Sequence, residues 1–169
     1  EHYPDYFPDD PGGKTGHRSM EPEPINGNLL KDDFSKLRDQ HPQTKGPLGI
    51  NFTQVEGQVL LGGLSGWVLL FTKLFLKFIF DLPHRFKSKR DRRLTMGNAG
   101  IARLRLSIKD RNIAFWLETS FKKFILEDNK VVGLNILKEG AEMVIGVNKG
   151  IILAAGGFER NQTMRNKYL

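Results

Sequence analysis

The first fifty residues show no sustained hydrophobic period. Pro4, Pro8, Pro11, Gly12, Gly13, Pro22, Pro24, Pro42 and Pro47 interrupt them repeatedly. The pattern predicts irregular backbone with one short helix near Asp32–Gln40, where Asp32 or Asp33 can cap. From Val59 to Leu82 the chain turns strongly apolar. Gly62, Gly63 and Gly66 break the first part of this run, and Lys73 and Lys77 stand one helical turn apart in the second. A turn followed by a helix of about 15 residues is expected, buried over most of its surface, with both lysines on one narrow polar stripe. A second helix starts at Thr95 as N-cap, carries Ile101, Leu104 and Ile108 at helical spacing, and stops near Asp110–Asn112.

Beyond residue 112 the period shortens. Ile113–Glu118, Phe121–Glu127, Val131–Leu137 and Glu142–Val147 read as strands, with turns at Asp128-Asn129-Lys130 and Glu139-Gly140. Gly150–Ala155 is a continuous apolar run, the pattern of a strand buried on both faces, and it leads directly into Gly156-Gly157. The fold class is therefore α/β or α+β, with an antiparallel meander and a return to a buried sheet. No internal repeat is present.

Composition narrows the class. A hydrophobic fraction of 39% and a charged fraction of 27% are those of a globular chain of 169 residues. The net charge of +7 is concentrated in Arg85–Arg93, a run with few aromatics. Nucleic-acid readers spread cations over a face and interleave stacking side chains, so nucleic acid is not the expected partner. The absence of cysteine excludes disulfides, thiolate catalysis and zinc–thiolate sites. The acidic, aromatic, proline-rich start is neither a signal nor a transit peptide. With no initiator Met and an end on Lys167-Tyr168-Leu169, the chain reads as an interior segment. The expected compartment is the cytoplasm, with a peripheral membrane position as the alternative.

Three places can carry chemistry. Ala154-Ala155-Gly156-Gly157 closes a buried strand with small residues, which lets a ligand approach the backbone where α/β folds bind nucleotides. No G-x-G-x-x-G or Walker-type loop accompanies it, so a pyrophosphate cradle must come from elsewhere. The helix start at Thr95, Gly97 and Asn98 offers free N–H groups to developing negative charge. Tyr3 and Tyr6, set among Pro4, Phe7 and Pro8, form a stiff apolar wall bearing hydroxyls. His2, His17, His41 and His84 are scattered without metal or triad spacing. The pairs Asp9-Asp10 and Asp32-Asp33 read as solvated.

Taken in order, YPDYFP, PGGKTGHRSMEPEPI, KRDRRLTMGNAGIARL, EDNKVVGLNI and GIILAAGGFERNQTMRNKYL resemble the motifs of 3-ketosteroid Δ1-dehydrogenases. These belong to the wider fumarate reductase and succinate dehydrogenase flavoprotein superfamily. The resemblance implies part of an FAD-binding Rossmann-like domain. Residues 1–158 would be its interior part: a loop-rich and helical insertion over 1–93, then helix, meander and return strand over 94–158. Residues 159–169 would open the substrate domain.

The resemblance implies roles as well. Tyr6 falls on the tyrosine that assists proton removal, and Tyr3 on an aromatic pocket position. Thr95, Gly97 and Asn98 fall on a helix start facing the active site. Phe121 lies on the strand meeting the FAD adenine, and Ala154, Ala155, Gly156 and Gly157 where the returning strand passes the dinucleotide. At Gly100, similar sequences usually carry Leu. The implied reaction is C1–C2 desaturation of a 3-ketosteroid, with a hydride passing to flavin N5, a proton to a tyrosine base, and electrons then to an external acceptor. A related flavoprotein acting on a fumarate-like dicarboxylate would need converging arginines, whereas the aromatic start suits an apolar substrate. A non-catalytic membrane-surface module built on residues 59–82 and the basic run is the reading from another class.

Overall fold

The computed structural model describes residues 2–5, 7–40 and 46–169, with residues 2, 3 and 19 described at the level of the backbone. Contacts divide the chain into two compact units, Glu1–Ala114 and Phe115–Leu169.

The first unit is held by short elements and polar ties. β1 (His2–Tyr3) pairs antiparallel with β2 (Ser19–Met20), and β3 (Ile25–Asn26) with β4 (Arg93–Leu94). A 3₁₀ turn, Gly27–Leu30, and the single-turn helix α1 (Asp33–Lys36) follow β3. The expected helix over Asp32–Gln40 is thus cut to four residues, since Leu37 is already extended. α2 (Gln54–Leu61) begins with a capping box: Thr53 Oγ1 accepts from the Glu56 N–H and Glu56 Oε2 from the Thr53 N–H, at 3.1 and 2.8 Å. α2 ends at Gly62, and α3 (Trp67–Ile79) starts after Gly66, whose φ of 86° few other residues adopt.

α3 contacts α2, and Lys73 and Lys77 lie together on its exposed side, as the spacing predicts. The expectation of a mostly buried helix does not hold. Among its residues only Leu74 is fully buried, because just one face of α3 meets the rest of the unit. The single-turn α4 (Leu82–Arg85) leads to β4 and then to α5 (Met96–Asp110).

The core of this unit is small: Leu30, Leu94 and Ala102, packed on by Ile25, Phe34, Leu37 and Leu106. α5 therefore turns Ala99 and Ala102 inward, and of the helically spaced Ile101, Leu104 and Ile108 the first two are exposed while Ile108 is half-buried. Small side chains let the helix approach the β3/β4 ladder closely.

The second unit is a three-stranded antiparallel meander, β5 (Thr119–Glu127), β6 (Lys130–Lys138) and β7 (Ala141–Gly146), followed by α6 (Gln162–Tyr168). Both hairpins turn on two residues with positive φ, Asp128-Asn129 and Glu139-Gly140, the geometry that matches strand twist. Two readings fail here. Ile113–Glu118 forms no strand, since pairing begins only at Thr119 opposite Lys138. Gly150–Ala155 is likewise unpaired and mostly exposed. A parallel strand needs neighbours along its edges and layers on its faces, and among the described residues none pairs with this run.

Candidate functional site

In the first unit the candidate residues sit where β4 becomes α5, and charged side chains fix that junction. Arg93 donates from both terminal nitrogens to Glu56 Oε1 and Oε2 at 2.9 Å, and to the Asn51 carbonyl at 2.9 Å. The Asn51 side chain in turn donates to the Arg93 carbonyl at 2.8 Å, and Asp91 accepts from the Asn51 and Arg93 amides. Arg92 pairs with Asp81. Arg90 reaches the carbonyls of Leu37 and Arg38 at 2.6 and 3.0 Å. Burial pushes its guanidinium below the usual arginine value, with Asp39 opposing. With Arg85, which donates to the Arg90 carbonyl at 2.7 Å, four of the six cations of the basic run are thus internal scaffolding. Sequence reading missed this role, although the Thr53-x-x-Glu56 box was visible as a clue.

Thr95 is extended and completely buried, and its Oγ1 finds no hydrogen-bond partner. The expected side-chain cap is therefore absent. The Thr95 carbonyl instead accepts from the Ala99 amide at 3.2 Å. Met96 follows with φ +51°, a left-handed conformation that costs a side-chain-bearing residue roughly 1–3 kcal/mol. No sequence signal announces it. Gly97 is exposed, with open space where a Cβ would sit, and Asn98 is half-buried. The first N–H groups of a helix lack intrahelical acceptors and carry the positive end of its dipole, so this junction can receive a partial negative charge. At Gly100 a Cβ would already stand 3.3 Å from Pro22 Cγ, so a leucine there would require Pro22 to move.

In the second unit Phe121 lies on β5, opposite Ile136 and next to a register shift, with its ring 4.7 Å from that of Phe124. It is 49% exposed. Ala154, Ala155, Gly156 and Gly157 are exposed and belong to no helix or strand. Gly156 has φ +76° and nothing within 4 Å of its missing Cβ. Gly157 borders an open concavity with Phe158, Glu159, Arg160, Asn161 and Gln162. Tyr6 lies outside the described residues, as does the side chain of Tyr3. The candidates therefore fall in two units, Thr95, Gly97 and Asn98 in one, Phe121 and Ala154–Gly157 in the other. A separate open groove of about 450 Å³ runs between α3 and the β3/β4 ladder, lined in part by Ile25, Leu74, Phe78, Asp81 and Arg92. None of the residues proposed from sequence lines it.

Residues 36–168 match the model of the FAD binding domain. The chain belongs to that family. Within it, the match is to the 3-ketosteroid Δ1-dehydrogenases, and it is partial. The 3-oxosteroid 1-dehydrogenase of Comamonas testosteroni is 31% identical over 99% of this chain and 30% of its own length. That of Mycobacterium tuberculosis H37Rv is 33% identical over 98% and 30%. A solved 3-ketosteroid delta1-dehydrogenase from Sterolibacterium denitrificans, in complex with 1,4-androstadiene-3,17-dione, superposes with a TM-score of 0.87 at 38% identity, over 98% of this chain and 30% of that one. The chain spans about 30% of the length of these relatives.

FAD is the cofactor of this domain, and the residues present are compatible with part of its site. The Ala154–Gly157 segment presents backbone with little side chain, and the space at Gly156 is open. The phosphate-cradling glycine loop is not among these 169 residues.

Proposed function

We propose that this FAD-binding domain serves the C1–C2 desaturation of a 3-ketosteroid, with an external acceptor taking up the electrons. The observation that carries the reading is the near-complete alignment of the chain, at 38% identity and a TM-score of 0.87, with a steroid-bound dehydrogenase. When bound, FAD supplies the hydride acceptor of the reaction at N5. The tasks left to this chain are binding, orientation and proton handling. The exposed backbone of Ala154–Gly157 would lie along the dinucleotide, with Phe121 toward its adenine. Amides at the start of α5, around Gly97 and Asn98, would face charge developing on the polarised substrate, with Thr95 fixing that turn. Tyr6 would assist removal of the C2 proton, with Tyr3 as apolar wall. Residues 159–169 would lead into the substrate domain, and the protein would reside in the cytoplasm.

Anaerobic stopped-flow reduction of the flavin in the intact protein by a 3-ketosteroid tests this reading. Rapid bleaching of the flavin is expected with a 3-ketosteroid and none with succinate, the dicarboxylate that would donate a hydride in the rival reading. Tyr6→Phe should slow reduction by about 10²-fold, the lower end for a general acid–base group, and alter steroid affinity much less. An unchanged reduction rate would remove Tyr6 from proton transfer. No bleaching by any 3-ketosteroid would remove the substrate assignment.

A further inference from the structure

Both sequence neighbours of Tyr6 are held by hydrogen bonds within the loop that joins β1 to β2. Asp5 and Lys14 exchange two of them. The Asp5 amide donates to the Lys14 carbonyl at 3.0 Å, and the Lys14 amide donates to Asp5 Oδ2 at 3.2 Å. Arg18 closes the arrangement: one terminal nitrogen lies 3.2 Å from the same Asp5 oxygen, and the other donates to the Gly12 carbonyl at 2.7 Å. On the far side of Tyr6, the Phe7 carbonyl accepts from the Asp10 amide at 3.3 Å, and the Asp10 carbonyl from the Gly13 amide at 2.7 Å. The chain returns so closely that a Cβ at Gly13 would stand 2.5 Å from the Phe7 carbonyl oxygen.

The root of the loop is seated on two helices. Glu21, directly after β2, is buried and accepts at 2.7 Å from the amide of Gln54, the first residue of α2. Arg103 on α5 donates to the Glu23 carbonyl at 3.2 Å. The core of the unit, Leu30, Leu94 and Ala102, lies outside the loop. The Arg18 side chain is 54% exposed, a setting in which an ion pair adds little to stability. What the pair does supply is geometry, since a carboxylate held by an amide and a guanidinium has a fixed place.

We propose that Asp5 and Arg18 are positioning residues, a clamp that sets Tyr6 for removal of the substrate proton. Proton transfer requires heavy atoms about 2.6–3.2 Å apart. Consecutive Cα atoms are about 3.8 Å apart, so a residue whose two neighbours are held has little room to leave that position. The inference rests on the role proposed above for Tyr6.

The test is a double-mutant cycle in the intact FAD-loaded protein, read by anaerobic flavin reduction with a 3-ketosteroid. Asp5→Ala should slow reduction by about tenfold, within the roughly 10²-fold that a 1 Å misplacement can cost, with steroid affinity little changed. Arg18→Ala should act likewise, and the two together should cost no more than either alone. In the Tyr6→Phe background neither should slow reduction further. Asp5→Asn keeps an acceptor for the Lys14 amide and should lose less, so it carries the test if Asp5→Ala fails to retain flavin. Hydrogen exchange at the Asp5 and Lys14 amides needs no turnover, and Arg18→Ala should speed it. Full-rate Asp5→Ala and Arg18→Ala variants would overturn the clamp and leave Tyr6 in place. Equal slowing with and without the Tyr6 hydroxyl would overturn it too, because the loop would then act on something else. A silent Tyr6→Phe would remove the role of Tyr6 and the clamp with it. Amide exchange unaffected by Arg18→Ala would overturn the clamp even were no steroid oxidised.

Discussion

α3 and the Gly150–Ala155 run are both strongly apolar segments, and both end up largely exposed, yet only one is regular. α3 closes its backbone hydrogen bonds within itself and so forms whether or not its outer face is covered. Gly150–Ala155 can satisfy its amides only through a neighbouring strand, and among the described residues it has none. The same hydropathy therefore yields an element in one case and irregular, unpaired chain in the other. A helix can be read from the chain that contains it, whereas a sheet strand can be read only together with its partners.

Amide hydrogen exchange would break this comparison most decisively. In the isolated 169-residue chain, amides over residues 151–157 should exchange almost as fast as in an unfolded peptide, while the central amides of α3 are protected. In the intact FAD-loaded protein the same amides should slow by about 100-fold or more if the run becomes an inner strand, since they then open only with the sheet. Equal exchange in the two samples would show that the apolar run never pairs, and the buried-strand reading of Gly150–Ala155 would be lost in every context.

Core substitutions sharpen the contrast by energy. Leu94 is fully buried in a cluster with Leu30 and Ala102, so Leu94→Ala should cost about 2–5 kcal/mol. Ile152 is 93% exposed, and Ile152→Ala should change the stability of the isolated chain by less than about 0.5 kcal/mol. Urea unfolding can separate the units, because Trp67 reports on the first and Trp116 on the second. A cost of more than about 1 kcal/mol for Ile152→Ala would reveal packing of that side chain absent from the structure.

The parts legible in the sequence were those specified locally. The two-residue turns of the meander and the lysine pair on α3 were read from spacing within a few residues, whereas α2 went unread although its Thr53–Glu56 capping box is equally local. What escaped was set at long range. Arg93 meets Glu56 across 37 positions, and Arg90 meets Leu37 across 53, so a run to which the sequence assigned no internal partners became a scaffold. The inward face of α5 was misassigned for a related reason: Ile101 and Leu104 are larger, but Ala99 and Ala102 permit the close approach that the β3/β4 ladder requires. The candidate site was legible as motif and not as geometry. Neither the left-handed Met96 nor the orphaned Thr95 hydroxyl has a sequence signature.

The smallest expected effect lies on such a long-range tie and comes from pH. Asp33 accepts from Lys36 Nζ at 3.1 Å through one oxygen, and the other lies 3.0 Å from the Arg105 guanidinium, 72 positions away. The Lys36 hydrogen bond holds its carboxyl below the usual aspartate value of 3.8. Burial opposes the shift, and the charges of Arg105 and Lys36 and the Arg105 hydrogen bond reinforce it. A folded-state value below the unfolded one stabilises the fold at every pH above about 4. That contribution fades as pH falls through the folded value, because the unfolded chain then binds the proton more readily. The side chain is 12% exposed but sits close to the surface, where solvent screens the pair, so the contribution should stay below about 1 kcal/mol. Urea midpoints of the first unit, followed through Trp67 between about pH 7 and pH 3, should place Asp33→Asn below wild type by a constant amount down to about pH 5. The two should then converge below about pH 4. A gap that persists undiminished at the acid end would mean that the amide of the Asp33→Asn variant is penalised for its shape or for its lost charge at the start of α1, rather than for the missing ion pair. The tie between α1 and α5 would then contribute nothing through ionisation.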